Sequence, residues 1–120
     1  MTEYINFKWP RDEDGVYHLY CERGFQRYER DRKRGYGPTV TGLNISKVRG
    51  KLFPWLLKFE YLGCVIPLAE FLSLKDAKKF AVRHFMSEEY KKYGLEWRAD
   101  LDLIAQQEGI EFQRPTEQAS

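Results

Sequence analysis

Between Leu52 and Phe85 the apolar residues follow two periods in succession, and the change of period marks a change of element. Over Leu52–Leu62 the period is two. Phe53, Trp55, Leu57, Phe59 and Tyr61 fall on one face, and Leu52, Pro54, Leu56, Lys58, Glu60 and Leu62 fall on the other. This predicts a strand whose first face looks into a core. Gly63 offers a turn, and Cys64–Phe71 returns as a second strand. Pro54 and Pro67 lack an amide donor, so each belongs at a sheet edge or a bulge. From Leu74 the period lengthens to that of a helix. Leu74, Ala77, Ala81 and Phe85, joined by Phe80 and His84, make the apolar stripe, with Lys75, Lys78, Lys79 and Arg83 on the remaining faces. Ser73 stands where an N-cap belongs, with Asp76 three positions on.

Shorter patterns flank this unit. Tyr4–Trp9 alternates and predicts a half-buried strand. Pro10–Gly15 predicts a turn, and Val16–Glu22 a second strand in a hairpin with the first. Leu43–Arg49 predicts a third strand, which Gly50 and Lys51 turn into the central stretch. The central helix is expected over 74–93, with Gly94 as its stop. Trp97, Leu101, Ile104 and Ala105 then mark a second helix over 97–108, closed by Gly109. Together these segments predict a single α+β domain over residues 1–112. Its mainly antiparallel sheet of about five strands packs against one long helix, with a shorter C-terminal helix beside it. The tail, residues 113–120, holds a proline and no apolar residue beyond an alanine, and is expected to be disordered.

The segment Arg23–Tyr36 obeys neither period well. It carries six basic residues, two acidic ones and three aromatics. Helical ion pairs are available to it, but Gly24, Gly35, Gly37 and Pro38 fence it in, and a long mobile connection is the expectation. Charge makes this segment interesting. Residues 23–94 hold sixteen lysines and arginines against seven carboxylates, a balance of +9, while the two ends hold a balance of −7. A basic middle suits an anionic partner. Arginine and lysine neutralise phosphates, and tyrosine or phenylalanine rings stack on bases. The candidate binding residues are therefore Arg23, Arg27, Tyr28, Arg30, Arg32 and Lys33, continued by Arg34 and Tyr36. Lys47, Arg49 and Lys51 join them from the strand connection, and Phe25 is a further ring that could stack. The same residue types are enriched at protein hot spots, so a small inhibitor or adaptor that blocks another protein, as phage-type accessory proteins do, is the alternative.

Gly50-Lys51, Trp55, Gly63, Phe71 and Leu74–Ala77 give the stretch Leu43–Phe85 an architecture that resembles the small three-stranded DNA-binding domains of plant ethylene-response regulators and phage integrase arms. The resemblance implies a strand-borne tryptophan facing nucleic acid and a helix packed behind. Phe53 and Pro54 lengthen the Lys51-to-Trp55 spacing of that pattern, and the strand lacks its outward arginines.

Other chemistry is poorly supported. Leu101–Ile110 has the look of half a helix-turn-helix, but the recognition helix that should follow Gly109 would fall on Glu111–Ser120, which contains Pro115, so a packed terminal helix is the expectation. His18 with Cys21, and Cys64 with His84, do not fit zinc-finger spacing, and no metal or cofactor is expected. Each thiol is read as a buried cysteine, and His84 as partly buried. No acidic pair or phosphate loop has the setting that catalysis needs, which argues against an enzyme. Two cysteines with no secretory signal, and no long apolar run, point to a cytoplasmic protein without a membrane span.

Overall fold

The computed structural model describes residues 7–35, 42–61, 64–86 and 101–115. In chain order these form β1 (Tyr17–His18), α1 (Glu22–Lys33), β2 (Gly42–Lys47), β3 (Trp55–Tyr61), β4 (Cys64–Phe71), α2 (Leu74–Phe85), α3 (Leu101–Glu108) and β5 (Phe112–Gln113). The result is a small α+β domain with one antiparallel five-stranded sheet, ordered β1-β2-β3-β4-β5.

The alternation in β3 does what its period predicts. Leu57 and Phe59 are fully buried, pairing with Ile45 and Leu43 of β2 on one side and with Ala69 and Ile66 of β4 on the other. These side chains share one sheet face, and α2 closes it with Ala77, Phe80 and Ala81, all at zero exposure. Phe71 and Phe80 meet at 5.0 Å between ring centroids, and Phe112 joins both. Ser73 caps α2 as expected, its hydroxyl accepting from the Asp76 amide at 3.1 Å. Pro67 is accommodated by a bulge, where the β3–β4 register shifts between Leu57 and Lys58. Because β5 reaches only Glu70 and Phe71, nothing in β5 asks Pro67 for the amide donor it lacks.

Several expectations are corrected. The described part of the first predicted strand is not a strand. Lys8 and Arg11 make isolated bridges to Tyr20 and Tyr17, with Pro10 between them unable to donate, and residues 4–6 lie outside the described residues. The place of the fifth strand is taken by Phe112–Gln113, whose second residue opens the segment expected to be a loose tail. Among the described residues no single long helix stands out, since α2 ends at Phe85 and equals α1 at twelve residues. Residues 87–100, including the predicted stop at Gly94, lie outside the described residues, as do Gly63 and 116–120. Both cysteines are exposed free thiols instead of buried ones. His84 is completely buried. Leu101, Ile104 and Ala105 of α3 are buried, and α3 packs on α2 as a terminal helix, closed at Gly109 by a positive φ of 66°.

Trp55 does not face open solvent in the manner the resemblance implies. It shares the α2 side of the sheet with Leu57 and Phe71 and packs against the core, its ring 6.4 Å from that of Tyr17.

Candidate nucleic-acid interface

The basic segment is a helix where a mobile connection was expected. Of the two glycines that seemed to fence a loop, Gly24 is merely tolerated within the helix and Gly35 ends it. Gly24 sits in the first turn, where a side chain would come within 3.4 Å of the Tyr20 ring. Gly35, at a φ of 93°, is the left-handed residue that ends it, its amide donating to the Arg32 carbonyl at 3.0 Å. Glu22 in the first turn and Arg30, Arg32 and Lys33 in the last complement the helix dipole.

The helix is held from one side. Tyr28 stacks on Tyr20 with centroids 5.3 Å apart, and Phe25 leans on Tyr28 at 5.8 Å. Both α1 rings are half-buried, and no residue of α1 is fully buried. The rings proposed for base stacking are therefore spent on attaching the helix. Tyr36, the third, lies outside the described residues.

What remains outward is ordered by the helical period. Arg23, Arg27, Arg30 and Arg34 recur at steps of four, three and four, which at 3.6 residues per turn keeps them within one narrow arc and spreads them over about 16 Å of axis. All four are exposed. Glu29 and Asp31 fall outside that arc, and their pairs with Arg32 and Arg30 are long, at 3.8 and 3.9 Å, between exposed side chains. Such pairs contribute little and leave the guanidinium groups free to change partner. Arg32 lies on the opposite side of α1, beside Tyr28 and Phe25. Lys33 is exposed at the border of the arginine arc.

The second basic group behaves differently. Lys51 donates to Glu70 at 2.5 Å, and that carboxylate is 3% exposed. It neutralises a buried charge, so its positive charge is already committed. Lys47 lies over the Trp55 ring at 5.4 Å. Arg49, in the turn before Gly50, is exposed and belongs to a different element from the arginine row.

Sequence reasoning missed a groove of about 850 Å³ on the attached side of α1. Trp9, Pro10, Phe25 and Tyr28 give it apolar walls, with Arg11, Asp14, Glu29 and Arg32 among its polar ones. Asp12 also lines it, and its carboxylate accepts from His18 Nε2 at 2.8 Å and from the amides of Asp14 and Val16. Burial pushes Asp12 up, but these three hydrogen bonds outweigh it and hold the acid below its usual 3.8. Among the described residues no cluster of three or more His, Cys, Asp or Glu is placed to hold a metal ion, and no helix is long and apolar enough to cross a membrane. No protein-family model, no curated protein and no solved structure matches this chain.

Proposed function

We propose that this chain is a non-enzymatic nucleic-acid-binding module that grips phosphates with the outer face of α1. One observation carries the reading: four arginines in a line, exposed, with no carboxylate inside their arc. Guanidinium groups make forked, charge-assisted hydrogen bonds to phosphate, and a line of them matches a repeating anion better than a single charged ligand. Arg49 supplies a separate, weaker contribution, while Lys51 is structural. The exposed free thiols of Cys21 and Cys64 support a reducing compartment, the cytoplasm.

Arg30 and Arg32 provide an internal control. They are two residues apart and almost equally exposed, at 62% and 65%, but they lie on different faces of α1. In a mobility-shift titration Arg30→Ala should weaken binding several-fold and Arg32→Ala much less. Replacing Arg23, Arg27, Arg30 and Arg34 together by glutamate should abolish the shift while circular dichroism stays unchanged. Equal losses at Arg30 and Arg32, or binding that survives the fourfold reversal, would refute the assignment. The same row would suit an acidic protein face, the partner expected of a small inhibitor, and retention of such a protein from nuclease-treated lysate without any affinity for nucleic acid is the outcome that would favour it.

A further inference from the structure

Resting on that reading, we infer that the ligand is double-stranded DNA and that α1 enters its major groove, with Gln26 and Arg30 reading base edges while Arg23, Arg27 and Arg34 hold phosphates. Three features of α1 lead there. Its two rings, Phe25 and Tyr28, are turned toward the scaffold, so the outer arc presents no aromatic ring to splayed bases, and single strands lose their usual aromatic platform. None of its residues is fully buried, so much of its circumference stands clear of the sheet. A helix about 10–12 Å across fits the B-form major groove of about 12 Å, whereas the deep, narrow major groove of an RNA duplex does not admit side chains in this way.

The third feature is chemical. Gln26, Arg30 and Lys33 form a second line, at steps of four and three, beside the first, and Arg30 belongs to both. All three are exposed, and no carboxylate lies between the two lines. Glutamine matches the donor–acceptor pair of adenine, and arginine the two acceptors of guanine. Gln26 adds to the arginine row a neutral side chain that carries both a donor and an acceptor.

The test is selection of duplexes from a random-sequence double-stranded DNA pool by the full chain. A short enriched sequence is expected. Arg30→Lys keeps the charge but loses the fork, and should relax preference at one position by about tenfold or more. Arg23→Lys, on a phosphate, should leave the selected sequence unchanged. Competition with single strands and RNA duplexes completes the experiment, and DNA duplex should win. A pool bound without preference, or tighter binding to single strands or RNA, overturns this inference while leaving phosphate binding intact. Absence of binding to every nucleic acid overturns both.

Discussion

Neighbouring residues of one type do different work here, and only their surroundings separate them. Arg49 and Lys51 are two positions apart in one turn, but Lys51 is clasped to a carboxylate buried at 3% exposure and Arg49 is open. Formal charge counts treat them alike. Asp12 shows the converse, a surface-turn acid with a structural task. It fastens the turn between Arg11 and Tyr17 through His18 and two backbone amides. Because its folded value lies below the ordinary 3.8, the unfolded chain binds more protons in that range, and stability falls as pH drops through it. The contribution is complete above about pH 5. Urea denaturation between pH 2.5 and 6 should show an acid-side loss that Asp12→Asn flattens. An unchanged acid limb in the variant would mean that other carboxylates account for it.

At the scale of the element, burial explains what could be read from sequence and what could not. β2, β3, β4 and α2 were legible because each buries a face, and a buried face writes its period into the apolar residues. The Ser73 cap and the Pro67 bulge were legible for equally local reasons. α1 was not, because its inward face is only two half-buried rings, Phe25 and Tyr28, too short a stripe to set a period among so many charges. Its period is written in arginines, at 23, 27, 30 and 34, where hydrophobic patterning does not look. β5 is two residues long, below any pattern. The same logic gives α1 modest stability of its own. Gly24 has an ordinary helical φ and room for a methyl group at ordinary contact distance. Gly24→Ala should therefore stabilise the helix by about 0.5–1 kcal/mol. Slower amide exchange confined to α1 is the readout. Faster exchange would show that Tyr20 cannot yield at that contact.

At the scale of the whole molecule, the sheet and α2 form a scaffold that packs its aromatic residues inward and carries α1 on the Tyr20–Tyr28 stack. The candidate site was legible in composition, since the basic segment stands out in the charge balance, but its geometry was not. The reading by composition counted Tyr28, Arg32 and Lys51 with the others, whereas packing turns the first toward Tyr20, the second to the opposite helix face and the third onto Glu70. Removing those three leaves a smaller and more sharply arranged set. The most direct measurement is the salt dependence of duplex DNA affinity. Three to four phosphate contacts from the row predict a slope of log K against log salt of about −2.7 to −3.6, and the variant with all four arginines changed to alanine should lose most of it. A slope near zero, or one unaltered in that variant, would contradict the account.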